Sequence, residues 1–239
     1  MGTQELSNQF DVLLNSYAVA GGFGKTDSLA TIELDEYEKS LFITNAQEEL
    51  VLSLYTGRNS SLQGFEETEE LRRFLSPLIR EAELSATVPT ESKPIGMGSD
   101  SKFFVLPDDL WFITYESVLI TNGRCEGTTS LEVVPVRQDE YHKLKKNPFR
   151  GVNDRRALRL DLSDNVVEII SKYNITKYYV RYLRQLKPVI LIDLEEGLEL
   201  RGETEAMTSM LPESLHLRIL NRAVEMALQS RGYIKNNRE

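Results

Sequence analysis

The chain has 239 residues, of which 41% are hydrophobic and 27% charged, with a formal net charge of -9. That supports one large domain or two small ones and excludes a disordered, collagen-like or mucin-like polypeptide. A membrane-spanning helix needs roughly 20 apolar residues; the best stretch here, 189–194, is already broken by Asp193. The lone cysteine, Cys125, excludes an internal disulfide and a thiolate metal site of its own. A start without a basic leader and a following apolar segment predicts an intracellular product.

In chain order, Leu6, Phe10, Leu13 and Leu14 recur at helical spacing and predict an amphipathic helix over 5–16. The small and glycine-rich run AVAGGFGKTDS reads as a linker, near 18–33, between this helix and the next. Asp35 is the expected N-cap of a second helix reaching Tyr55, with Glu36 and Glu38 on the favourable end of its dipole and Gly57 as its stop. Leu41, Phe42, Ala46, Leu50, Val51 and Leu54 form a broad stripe that needs a second surface. A third helix over 67–75, ending before Pro77, is expected to supply it.

The period then changes. Segments 103–106, 110–119, 131–136, 157–162, 166–170 and 177–184 are rich in aromatic and β-branched residues and separated by turn-formers, which predicts a strand-rich core. PTESKPIGMGSD reads as an exposed loop, 138–146 as a short helix before Asn147-Pro148, and 189–194 as a last extended piece. Pro212 suits the first position of a final helix, in which Leu215, Ile219, Ala223, Met226 and Ala227 repeat until Gly232 closes it. The expected fold is α+β, with N-terminal helices and a C-terminal helix packed around a mainly antiparallel strand-rich core. Its expected segments are a helical region at 1–88, the strand-rich core at 89–210 and a C-terminal helix and tail at 211–239.

No catalytic constellation emerges. Gly24-Lys25-Thr26 matches the end of a phosphate-binding loop, but Val19 stands where that loop needs a glycine, and a helix precedes it instead of a strand. His142 and His216 lack ligand spacing and read as surface residues, Cys125 has no indicated base, and no nucleophile-elbow motif occurs. No catalytic, cofactor-binding or metal-binding residue is therefore expected.

Charge is unevenly distributed. Residues 1–136 carry 9 basic and 22 acidic side chains and residues 188–239 carry 6 and 9, whereas 137–187 carry 13 and 6. Such a chain can dock head to side on copies of itself or turn one basic face to nucleic acid; unrelated surface charge is the plain alternative. Within the basic stretch, a strand over 177–184 sets Tyr178, Val180, Tyr182 and Arg184 on one side and Tyr179, Arg181 and Leu183 on the other. Tyr and Arg in alternation suit a sheet strand with one core face, a protein interface, or stacking on single-stranded nucleic acid. Tyr178, Tyr179, Arg181, Tyr182 and Arg184, with Leu41, Phe42 and Leu50 of the second helix, are the candidate subunit-interface residues.

The block Leu34-Asp35-Glu36-Tyr37-Glu38-Lys39-Ser40, followed by Phe42-Ile43-Thr44-Asn45-Ala46-Gln47 and preceded by Phe10-Asp11-Val12-Leu13, resembles the N-terminal signature of a virion structural protein of crAss-like bacteriophages. Asn147-Pro148-Phe149-Arg150, the Tyr-Val-Arg-Tyr-Leu-Arg run and Leu211-Pro212-Glu213-Ser214-Leu215-His216 are similar to the same family. The resemblance implies a non-enzymatic, ring-forming component of the neck or tail barrel, dodecameric and coaxial with the portal. It implies as partners the portal and neighbouring tail ring proteins, non-specific proximity to double-stranded DNA, no membrane, and residence in the virion after synthesis in the bacterial host cytoplasm. The alternative reading is a DNA-binding or packaging-associated module using 143–187.

Overall fold

The structure is a computed structural model and describes residues 1–20, 33–58, 64–87, 101–121, 128–145, 147–162, 165–195 and 197–232. The GKT-containing run, Cys125, the 89–100 segment and the tail from 233 lie outside the described residues. The fold is α+β and divides into two compact units, Met1–Leu78 with Leu186–Glu239, and Ile79–Gln185. Those limits differ from the three segments expected at 1–88, 89–210 and 211–239.

The first unit is built from α1 (Thr3–Ala20), α2 (Glu36–Thr56), α3 (Glu69–Leu75) and the C-terminal helix, here α5 (Glu213–Ser230). Asp35 caps α2 as expected, accepting the Glu38 amide at 2.6 Å, and Gly57 ends it in the left-handed region at φ 74°. Thr68 caps α3, which runs into a 3-10 turn, Ser76–Leu78, that takes up Pro77. Leu6 and Phe10 of α1, Ile43 and Val51 of α2, and Leu220 and Val224 of α5 are buried. Helices α5 and α1, rather than α3, are the main neighbours of α2. Arg222 of α5 adds a bidentate pair to Glu49, at 2.9 and 2.8 Å.

The buried face of α2 is rotated from the stripe expected. Leu41 is exposed and Phe42 and Leu50 are half-buried, while Lys39, Ser40, Thr44 and Gln47 are buried. The reason lies in the segment after the sheet. Ser40 Oγ accepts the Leu191 amide at 3.0 Å, Thr44 Oγ1 accepts the Val189 amide at 3.0 Å and lies 3.3 Å from its carbonyl, and Gln47 Nε2 donates to the Lys187 carbonyl at 3.1 Å. This polar row satisfies backbone groups that a strand would satisfy by pairing, so the extended piece at 189–194 contributes no strand to the sheet. Lys39 ties α2 to α1 through side chains instead: its buried Nζ meets Asp11 at 2.7 Å and Ser7 Oγ at 3.2 Å on α1, and Glu36 of its own helix at 2.8 Å. Burial pulls the Lys39 ammonium down, but the two carboxylates outweigh it and hold its pKa above the usual value.

His216 also departs from the surface position expected of it. It is 3% exposed, with Nε2 3.0 Å from the Leu211 carbonyl, because it stands in the first turns of α5 and binds the chain entering that helix.

The second unit holds one seven-stranded sheet: β1 (Ile79–Leu84), β2 (Ser101–Val105), β3 (Leu110–Thr121), β4 (Thr128–Pro135), β5 (Arg156–Asp161), β6 (Val166–Ile170) and β7 (Asn174–Arg184), in the spatial order β1-β7-β3-β4-β5-β6-β2. Pairing is antiparallel except between β4 and β5, which are joined through α4 (Gln138–Lys145). The sheet curls until Thr87, just after β1, bridges Phe103 of β2, with its amide donating at 2.8 Å. One residue from each of β2 to β7 illustrates the lining of the curl: Phe104, Val118, Leu131, Ala157, Val167 and Tyr178. Tyr141 of α4 covers the opposite face of β5 and β6 over Leu158, Leu160 and Ile170. Strand β1 was not legible in the sequence, since Ile-Arg-Glu-Ala-Glu-Leu breaks apolar alternation with exposed charges that suit an edge.

Replacing Thr44 with Val keeps shape but removes the hydroxyl that serves both Val189 groups. The expected loss is about 1–3 kcal/mol of unfolding free energy, read as a lowered urea midpoint at unchanged slope.

Candidate subunit interface

On β7 the alternation expected from the sequence places Tyr178, Val180 and Tyr182 inward. Tyr178 is 0% exposed and donates to Glu116 Oε2 at 2.6 Å; Tyr182 is 5% exposed and donates to Asp109 Oδ1 at 2.9 Å. Burial, reinforced by Glu116, pushes the Tyr178 phenol far above its usual value, and burial with the Asp109 carboxylate pushes Tyr182 up to about 12. Both rings and both hydroxyls are thus engaged inside this unit, and neither offers a surface to another molecule. Arg181 is exposed, 3.8 Å from Glu81; Tyr179 and Arg184 are half-buried. On α2, in the other unit, Leu41 keeps 37% of its surface.

Glu116 is the centre of a buried ionic network. Its other oxygen accepts from Arg159 Nη1 at 2.8 Å, and Arg159 Nε lies 2.8 Å from Asp161 Oδ1 at the more exposed end. The network fixes β3, β5 and β7 against one another across the interior of the curl. Arg159, one of the 13 basic side chains of 137–187, is 8% exposed and so withdrawn from any basic face.

Much of the basic stretch is neutralised locally. Lys172 pairs with Asp154 at 2.7 Å, Lys177 with Glu83, Arg137 with Asp139 at 3.1 Å and Lys187 with Glu203 at 3.0 Å. Lys143, Arg150 and Arg155 have no ion-pair partner among the described residues. Over the whole sequence, the sheet-bearing unit holds 16 basic and 15 acidic residues, a net charge of +1; the other unit holds 12 and 22, a net charge of -10. The contrast drawn along the sequence is therefore one between folded units.

Sequence reasoning missed Phe149 as a surface feature. It is 85% exposed, yet its backbone is held: Asn147 Oδ1 accepts the amides of Phe149 at 2.9 Å and Arg150 at 3.2 Å, and the Gly151 amide returns to the Asn147 carbonyl at 2.8 Å. An aromatic ring on a fixed turn, followed by Arg150 and with Arg156 Nη1 donating to its own carbonyl at 3.3 Å, has the composition of a binding anchor. Its signal was the Asn-Pro dipeptide followed by an aromatic residue, which had marked only the end of a helix. Among the described residues there is no cluster of His, Cys, Asp and Glu able to hold a metal, and no helix long and apolar enough to cross a membrane.

Removing one partner of the buried pair leaves an uncompensated charge. Arg159→Met is expected to cost about 3–5 kcal/mol. The double variant Glu116→Leu with Arg159→Met should cost less than the two single changes added, which a double-mutant cycle in urea measures.

These surfaces coincide with a clear relationship to known proteins. The family described as phage tail ring protein 3/4 matches residues 1–239. Ring protein 3 of Bacteroides phage crAss001 is 42% identical over 242 residues, covering 100% of both chains. Ring protein 4/5 of the same phage is 30% identical over 238 residues, covering 95% of this chain and 92% of its own length. The chain belongs to the ring-protein family of crAss-like phages.

Proposed function

We propose that this chain is a ring-forming subunit of the neck or tail barrel, which joins portal to tail and encloses the DNA channel without performing catalysis. The observation that carries the reading is the end-to-end match to a ring protein on a fold whose two units differ in charge by eleven. A ring repeats one heterologous contact, so each copy needs two unlike, mutually fitting surfaces. An acidic helical unit and a nearly neutral sheet unit that carries the Phe149 anchor, with Lys143, Arg150 and Arg155 unpaired among the described residues, are suited to those roles. Likeness to two different ring proteins of one phage supports neighbours above and below that are further ring proteins, with the portal at the end of the stack. A dodecamer, matching the symmetry implied by the sequence resemblance, is the proposed ring, and the virion its place.

A DNA-binding module built on 143–187 has less support, because Arg159 is buried and Lys172 and Lys177 are engaged by carboxylates of the same unit. Binding to DNA that weakens steeply with salt would favour it.

Electron microscopy of the purified full chain, alone and with neighbouring ring proteins, should show rings; a chain that stays monomeric in both overturns the reading. Phe149→Ala should weaken assembly by about tenfold in concentration, a loss of about 1.4 kcal/mol per contact, while leaving monomer stability within about 0.5 kcal/mol because the ring is exposed.

A further inference from the structure

Resting on the ring reading, we propose that the acidic hairpin of one copy, 192–206, seats on the Phe149 turn of the next copy, and that this pair of segments forms the heterologous contact repeated around the ring.

The hairpin is a built element. Ile190 and Met207 bridge backbone to backbone and close its base. Further out, the Leu194 amide donates to the Thr204 carbonyl at 2.9 Å, and Leu200 and Glu203 exchange bonds of 2.9 and 3.1 Å across a two-residue turn. That turn is Arg201-Gly202, with both residues at positive φ, 54° and 80°. Asparagine and glycine adopt such a turn readily and arginine does not; here Glu48 of α2 holds Arg201 in place. Asp193 Oδ1 accepts the Ala206 amide at 2.7 Å, and Lys187 meets Glu203 at 3.0 Å. The hairpin is thus fastened to its own unit, yet other side chains on it are left outward. Ile192 is 56% and Leu198 43% exposed. Glu195, Glu199 and Glu205 are exposed and have no ion-pair partner among the described residues.

The Phe149 turn is the chemical counterpart. From Lys143 of α4 to Arg156 at the head of β5 the sequence holds six basic side chains and one acidic, a net charge of +5, whereas 192–206 holds six acidic and one basic, a net charge of -5. The odd charge in each segment is already taken, Asp154 by Lys172 and Arg201 by Glu48. One segment therefore offers a large exposed ring with cations, and the other offers exposed aliphatic side chains with carboxylates. Apolar anchors of this kind give an interface its affinity, and unlike charges fix its register and reject wrong partners. Both segments are held by their own backbone bonds, so little ordering remains to be done on contact.

The same charges select the symmetry. Two Phe149 turns repel each other, as do two hairpins, which disfavours a two-fold contact between identical faces. A turn against a hairpin is head-to-tail, the arrangement that generates a ring when the rotation closes.

Charge reversal in the full chain tests the proposal. Arg150→Glu with Arg155→Glu reverses the turn, and Glu195→Lys with Glu199→Lys reverses the hairpin. All four side chains are exposed, so each reversed chain should keep the parent's thermal midpoint by circular dichroism. Each alone should raise the concentration needed for ring formation at least about a hundredfold. Mixed in equal amounts, the two should co-assemble in alternation within about tenfold of the parent's concentration, since every junction again joins unlike charges. Should a reversed chain melt earlier, Arg150→Gln with Arg155→Gln and Glu195→Gln with Glu199→Gln read the same faces, each with a rise of about tenfold. Parent-like assembly of either variant alone overturns this docking and leaves the ring reading standing. So does a mixture that stays unassembled, the result expected if the two segments met only within one chain. Loss on changing Arg150 and Arg155 but not Glu195 and Glu199 overturns it by assigning the turn to a different partner. A parent chain that forms no rings under any condition removes the ring reading and this contact with it.

Discussion

Backbone polar groups removed from water must find partners, and the way the 187–191 segment meets that demand governs the helical unit. Having left the sheet, the chain lies against α2; Ile190 bridges Met207 backbone to backbone, and the groups on either side of it need other partners. Ser40, Thr44 and Gln47 supply the missing donors and acceptors from one face of α2. Once those three side chains are committed inward, the rest of α2 must follow the same rotation. Leu41 is carried outward, and Ile43, Ala46 and Val51 are carried into the core beside α5. A purely apolar face would strip the amides of Val189 and Leu191 and the Lys187 carbonyl of these bonds, a larger penalty than the burial of three satisfied polar side chains.

The sheet unit solves a similar problem with ions. Its interior is mostly aliphatic and aromatic, but Glu116, Arg159 and Tyr178 meet there, one Glu116 oxygen accepting from Arg159 and the other from Tyr178. Replacement of such a group by hydrocarbon is often nearly neutral, so its value lies in fixing which strands oppose one another. That matters for a sheet in which β7 pairs with β3 through several register shifts.

Local signals made most of the fold legible. Asp35 and Gly57 bracketed α2 because capping depends on a few adjacent residues, and β6 matched its expected limits because Val-Val-Glu-Ile-Ile is flanked by turn-formers. What escaped was decided by distant partners. The charges of β1 concealed an edge strand, and the buried polar row of α2 was invisible to a scan for apolar stripes; His216 is the exception, since the Leu211 carbonyl it meets is five residues away, and what hid it was its burial. Among the interface candidates, the alternation on β7 was legible, but which side faced inward was not. That choice put Tyr178 and Tyr182 in the core. Phe149 went unnoticed as an anchor because exposure is a property of the folded turn, not of the tetrapeptide.

The sheet unit is an insertion: the chain enters it at Ile79 and leaves it after Gln185, and Ile79 is the register partner of Leu183. Entry and exit therefore lie side by side on neighbouring strands. Such a module can be lengthened, exchanged or lost between relatives without rerouting the helices that flank it, because the gap to be spliced is no wider than the spacing of two paired strands. Diversification among homologous particles thus has a natural seam, at which one half of the molecule is free to evolve while the other keeps its wiring.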